Sequence, residues 1–229
     1  MGLLGTGVLA IWNGIAPGAD ADFAAWHVRE HIPERIAVPG FLRARRYAAI
    51  EGEPAYFNFY ETTSPDVLVS AAYVARLNDP TPWTRRIVAQ FRDTSRTVCD
   101  VALSLGRGEG GVIETIRLQP ATPDPAEYRV AMERGVLRAL VAAPGITGVH
   151  LLQGRPGDSA GGTVEKALRS GTDAIADWIL LVEAVDAACL RAAREEASSD
   201  GLLARAQTRQ GCRRGLYALQ FGLTAGEQR

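Results

Sequence analysis

Two of the chain's three histidines, His27 and His31, stand four residues apart in the stretch Phe23-Ala-Ala-Trp26-His27-Val-Arg-Glu30-His31. On a helix this spacing places Phe23, His27 and His31 on one stripe, with Glu30 one residue aside. Imidazole titrates near neutrality, so such a pair can carry a proton for enolisation, ring closure or phenol deprotonation. The same residues satisfy H-x-x-E-H, the inverted zincin pattern of two zinc-binding histidines and a glutamate base. An α+β setting and Pro33 just beyond the motif argue against a protease.

A second group lies at Tyr56-Phe57-Asn58-Phe59-Tyr60-Glu61. Alternation along a strand puts Tyr56, Asn58 and Tyr60 on one face and Phe57, Phe59 and Glu61 on the other. The polar-tipped face is the expected pocket wall. His31 is the favoured acid/base, with His27 beside it, and Tyr60 or Asn58 would hold a substrate oxygen. Trp26, Trp12, Tyr56 and Glu30 complete the candidate substrate contacts. Each of these residues also has an ordinary packing role open to it, the histidines and tyrosines as half-buried, hydrogen-bonded cover for a sheet. A divalent metal on His27, His31 and Glu61 is chemically conceivable, but the favoured reading uses none. Arg45 and Arg46 read as solvated strand residues, with a bidentate grip on a carboxylate as the alternative.

The elements that must position these groups occur twice in the same order. The first half reads as strand 7–15, a helix capped by Asp20 or Asp22 and bent or ended near Pro33, the turn Pro39-Gly40, strand 42–50 and strand 56–61. Helix 65–77, a restart at Thr81-Pro82 and strand 98–105 follow. The second half reads as strand 112–118, helix 125–142, the turn Pro144-Gly145, strands 147–153 and 176–185, helix 187–207 and strand 214–222. A polar, glycine-rich insertion at 155–172 reads as a mobile surface loop. The run Gly106-Arg-Gly-Glu-Gly-Gly111 marks a junction, so the expected division is 1–108 and 109–229. Each βαββαβ half predicts a ferredoxin-like unit, and the expected fold is α+β, with the two antiparallel sheets covering one another. Aligned on the Pro-Gly turns, Met132 stands against His27 and Val136 against His31, and the later strands set Val182 against Tyr60. The site is therefore expected in the first copy, with the second a degenerate scaffold and His150 structural.

Composition narrows the partners. In 229 residues the net charge is -1, hydrophobic residues make up 47% and charged residues 22%. This suits a globular chain with a real core and gives no field to draw nucleic acid. Cys99, Cys189 and Cys212 form no CxxC and no His/Cys cluster, which favours a reducing, cytoplasmic setting. The apolar start is too short for a bilayer, so no membrane association is expected. There is no P-loop, and Gly5-Thr6-Gly7 precedes a strand where a dinucleotide fingerprint must follow one. No tightly bound organic cofactor is expected.

The stretch Phe23 to Tyr47, with Glu30-His31-Ile32-Pro33 and Pro39-Gly40-Phe41 inside it, together with 56–61, resembles the dimeric α/β-barrel superfamily. Within it the chain is similar to EthD-like and antibiotic-biosynthesis-monooxygenase-like proteins. The resemblance is specific over the first half and topological over the second. It implies a tandem ferredoxin-like barrel in one chain, monomeric or homodimeric, and places His31 at the family's Glu-His-x-Pro histidine. It also implies a spread of chemistries: cofactor-independent oxygenation, isomerisation, cyclisation, haem chemistry, or none. The expectation is a small enzyme acting on an apolar aromatic or polyketide-like molecule. The alternatives are a haem- or metal-binding enzyme, with His27 or His31 as axial ligand, and a non-catalytic small-molecule-binding protein.

Overall fold

Period-two alternation of aromatic and β-branched residues drives the strands, and their two faces become the two layers of the core. The structure, a computed structural model, describes residues 2–158, 162–169, 171 and 173–227. In chain order, β1 is Gly7–Ile15, β2 Phe41–Glu51, β3 Tyr56–Thr62 and β4 Phe91–Gly106. The second half supplies β5 Val112–Leu118, β6 Ile146–Gly154, β7 Trp178–Ala184 and β8 Arg213–Thr224. All pairings are antiparallel, and the strands close into a barrel in the order β1-β3-β2-β8-β5-β7-β6-β4. Each half contributes four staves in the same arrangement, as two ferredoxin-like units require.

The sheets do more than face one another. Their edges join at β2–β8 and β4–β6, so the backbone groups that open edges would leave unpaired are satisfied by closure. Inside the barrel pack Val8, Ala10, Trp12, Tyr47, Phe57, Phe59, Ile113, Ile179, Leu181 and Tyr217.

Outside lie the helices. α1 (20–36) consists of Asp20–Trp26, a π-helical turn His27–His31 and Ile32–Ile36. Its cap is Ala19, with no side-chain bond. Asp20 instead accepts a bond from the Tyr56 hydroxyl, and Asp22 accepts from the Trp83 indole. Pro33 neither ends nor breaks the helix, because the π-turn just before it has already reset the bonding, with the Ile32 N–H reaching His27 O. Ser70 divides the expected helix 65–77 into a 3-10 turn, Pro65–Val69, and α2, Ala71–Asn78. Its hydroxyl caps α2 by accepting the Tyr73 N–H. α3 is Pro82–Val88, capped by Thr81 as expected. β4 begins earlier than expected because 91–97 also pairs with β1.

In the second half α4 (125–142) repeats the build of α1: Pro125–Met132, a π-turn Glu133–Leu137 and Arg138–Ala142. The helix expected over 187–207 is interrupted at Ser198, giving α6 Ala187–Ala197 and α7 Asp200–Arg205. Of the insertion at 155–172, residues 159–161, 170 and 172 lie outside the described residues. Its described part includes α5, Val164–Ala167, and it is not a free loop. Thr163 and Glu165 are buried, the Val164 N–H donates to Asn78 Oδ1, and Glu165 pairs with Arg35 of α1. The second half thus covers part of the first.

Candidate active site

α1 runs over the outer face of β3, and alternation along β3 turns Tyr56, Asn58 and Tyr60 toward it while Phe57 and Phe59 enter the barrel. A π-turn has about 4.4 residues per turn, so side chains four apart stand almost above one another. The imidazoles of His27 and His31 accordingly stack, centroids 5.2 Å apart and planes 20° apart. Both are buried, 2% and 7% exposed. Trp26 packs against His31 at 4.2 Å and Phe23 against His27 at 5.2 Å.

Tyr60, also buried, brings its hydroxyl to 3.3 Å from His27 Nε2. Its ring meets His31 edge-on, centroids 6.5 Å apart, so the phenol's hydrogen-bond partner is His27 and not the favoured His31. His31 makes no side-chain hydrogen bond among the described residues. Asn58 donates to Asn13 Oδ1 at 2.8 Å. Tyr56, half-buried, is held by Asp20 at the rim.

Two candidates lie elsewhere. Glu30 accepts from the hydroxyls of Thr81 and Thr84 and so ties α1 to α3. Trp12 is on the barrel side of β1, where alternation groups it with Val8 and Ala10, and its indole donates to Thr115 Oγ1 at 3.1 Å. Glu61 also points into the barrel, bonded to Arg43 and Arg45, so it cannot join the imidazoles around a metal. Among the described residues no group of three His, Cys, Asp or Glu side chains is placed to hold one.

The arginines correct the sequence reading most. Arg45 and Arg46 are not solvated; they are 1% and 5% exposed. Arg45 points into the barrel, where it bridges Glu61 and Glu183, and His150 Nε2 lies 3.3 Å from the latter. Arg46 lies on the helix side, its guanidinium 5.6 Å from the Phe23 ring centroid and 5.9 Å from that of Tyr56. It forms no ion pair among the described residues. Arg35, one turn beyond His31, is buried as well. Asn13, also buried, is a polar residue inside an apolar strand, a signal that could have flagged it; Arg35, at i+4 from His31, carried a similar one.

Burial first, then the positive charges of Arg46 and Arg35, holds His27 well below the usual imidazole range. Burial, Arg35, His27 and Arg169 do the same to His31. Both rings are neutral at pH 7, and burial and the neighbouring positive charges oppose their protonation unless an anion lies beside them. Burial pushes the Tyr60 phenol up, so it keeps its proton. Around these groups lie buried polar atoms without a hydrogen bond among the described residues: His27 Nδ1, His31 Nδ1, Asn58 Oδ1, Arg46 Nε and Nη1, and Arg35 Nη1.

No protein-family model matches the sequence, and no curated protein matches it. Solved structures do. A protein described as anthrone oxidase-like superposes with a TM-score of 0.63 at 14% identity, over 97% of this chain and 94% of that one. A provisionally assigned monooxygenase of Fusobacterium nucleatum gives 0.60 at 10%, covering 97% and 96%. A protein of Thermus thermophilus described as heme-binding gives 0.52 at 11%, covering 95% and 92%. Together with the closed eight-stranded barrel, these likenesses show the dimeric α/β-barrel fold built within one chain.

Proposed function

We propose that this protein is a small enzyme that removes a proton from an apolar aromatic or polyketide-like molecule between α1 and β3, using no organic cofactor. The observation that carries this reading is the cluster of unpartnered buried polar atoms around His27 and His31. Buried polar groups are almost always bonded, and an exception calls for a ligand or a reason.

His31, whose Nδ1 is unbonded among the described residues, takes the proton from a phenol O–H or an activated C–H. The electron pair stays on the substrate as phenolate or enolate. With its proton on Nε2, His27 donates to the Tyr60 oxygen and leaves the phenol proton free for a substrate oxygen. Arg46, which has no carboxylate partner among the described residues, faces the charge that develops, and charge stabilisation in a dry site is worth far more than in water. Oxygenation, isomerisation and ring closure all start from this anion. At the seam between α2 and 163–169, Leu77, Arg96, Glu165 and Arg169 line a cavity of about 20 Å³, room for about one water, so in this reading the substrate enters only when that seam parts. In this reading the half 1–108 carries the chemistry and 109–229 supports it.

A haem does not suit these residues. Trp26 covers one face of His31, His27 stacks on it, and the Nε2 of His27 that could ligate an iron is taken by the Tyr60 hydroxyl, so no step is assigned to one.

The reading is tested with a hydroxylated anthraquinone dye, alizarin, whose ionisation changes its colour. Bound dye is expected to be ionised at a lower pH than free dye, and His31→Ala is expected to abolish the difference. A bound dye that titrates like free dye in the wild-type protein overturns the proposal.

A further inference from the structure

The two ends of the barrel carry opposite solutions to buried charge. At the end where β1 and β5 begin, Val8 pairs with Glu61 and Ile113 with Glu183. There each guanidinium has carboxylates: Arg43 with Glu61 and Glu109, Arg45 with Glu61 and Glu183. Four residues further along each strand, at the other end, stand Trp12 and Arg117. The Arg117 guanidinium lies 4.8 Å from the centroid of the buried Trp12 ring, and no carboxylate pairs with it among the described residues.

That mouth opens into a depression of about 1,180 Å³ lined by Ile15, Ala49, Pro54 and Ala174 and by four arginines. Among the described residues only Arg214 of the four is engaged in an ion pair, with Glu114 and Asp200. Arg213 stands directly opposite Arg117 across the β5–β8 ladder. Like charges in that position oppose the fold, and no acidic side chain among the described residues relieves them. Glu53 and Asp93 share the lining and likewise form no ion pair there, and Asp173 is held by Arg169. Three guanidiniums without a paired carboxylate among the described residues, Arg92, Arg117 and Arg213, thus share with two unpaired carboxylates a lining that is about half apolar.

We propose that this mouth is a second binding site, separate from the imidazoles under α1, for a planar aromatic carboxylate. Arg117 and Arg213 grip the carboxylate, and the small apolar lining takes the ring. Arginine's planar fork suits a carboxylate bidentately, and its stack on Trp12 holds the fork in place before the ligand arrives. The burial of Arg117, together with Arg213 beside it, weakens its hold on its own proton, as expected of a cation lacking its counter-charge. The inference is independent of the proton-transfer reading.

Calorimetric titration of the full chain with 2-naphthoate, 2-naphthamide and inorganic phosphate tests it. The naphthoate is expected to bind at least tenfold more tightly than either of the others, and Arg117→Gln to erase that preference. Arg213→Ala, at an exposed position and so readable if the first variant fails to fold, is expected to weaken naphthoate at least threefold and to lessen its salt dependence. His31→Ala is expected to leave binding unchanged. Equal affinity for acid and amide, phosphate matching naphthoate, unaltered binding in a folded Arg117→Gln or in Arg213→Ala, or loss of binding in His31→Ala overturns the proposal.

Discussion

Replacing Arg45 by methionine keeps most of the side chain's volume and removes the charge that two buried carboxylates share. The Arg45 side chain is fully buried and those of Glu61 and Glu183 are 1% exposed, with contacts of 3.2 and 2.7 Å. Burial alone would raise the Glu183 carboxyl, but His150 and Arg45 hold it at about 2 instead of 4.5. Each tenfold change in proton affinity is worth about 1.4 kcal/mol, so this one group adds about 3 kcal/mol at neutral pH. That agrees with the roughly 3–5 kcal/mol typical of breaking a buried pair from one side. Urea unfolding at pH 7 is therefore expected to show a loss of about 3 kcal/mol in Arg45→Met. The sign in pH follows from the lowered carboxyl. The wild-type contribution is complete above pH 4.5 and is lost as pH falls toward 2. Without Arg45, burial makes ionised Glu183 a liability that protonation relieves. The gap between wild type and variant must close on acidification. A loss below about 1 kcal/mol at pH 7, or a gap that widens in acid, refutes the reasoning.

Two further outcomes follow from the site and its approach. His27 and His31 are held well below 6.5, so the unfolded chain binds protons that the folded one refuses. Their contribution is complete above pH 6.5 and falls as pH drops below it, by up to about 1.4 kcal/mol per pH unit for each ring. His31→Gln should flatten the stability profile between about pH 7 and 5, and an unchanged slope there would count against the burial argument. Gly40 has φ +95°, and a Cβ there would lie 2.6 Å from Val67 Cγ2. Gly40→Ala should cost about 2 kcal/mol, a fall in Tm of roughly 4–8 °C in a calorimetric scan. Gly14→Ala, whose nearest contact would be 3.6 Å, is the control that should leave Tm within about 1 °C.

What could be read from the chain alone was what local patterning encodes. Alternation at 56–61 put Tyr56, Asn58 and Tyr60 on one face, and the register agrees. The Pro-Gly turns, with Gly40 and Gly145 both at positive φ, and the Thr81-Pro82 restart are local backbone demands that a few residues state in full. What failed depended on contacts distant in sequence. Arg46 looks solvated until α1 covers it. Trp12 looks like a pocket stacker until barrel closure assigns its face. The Asp20 and Asp22 carboxylates look like caps until Tyr56 and Trp83 claim them. The insertion looks free until Glu165, 130 residues from Arg35, closes on it. No pattern at single-residue spacing carries such information, because the partner is chosen by the assembled fold.

The second half tests whether the polar cluster is merely what this fold requires. Its β6–β7 ladder pairs Val149 with Val182 as the β2–β3 ladder pairs Ala44 with Tyr60, so a valine occupies the tyrosine's place. α4 repeats α1 down to the π-turn, yet Met132 and Val136 supply the buried side chains there and pack in an apolar core. The same backbone, turn included, therefore forms without imidazole or arginine beneath its first helix, and the one phenol buried there among the described residues, Tyr128, has a hydrogen-bond partner in Thr208. Leaving a buried polar atom unbonded costs about 1–3 kcal/mol, and the first half carries several such atoms where the second shows that apolar side chains suffice. The architecture does not impose that cost, and the deprotonation proposed under α1 would account for the asymmetry between the two copies.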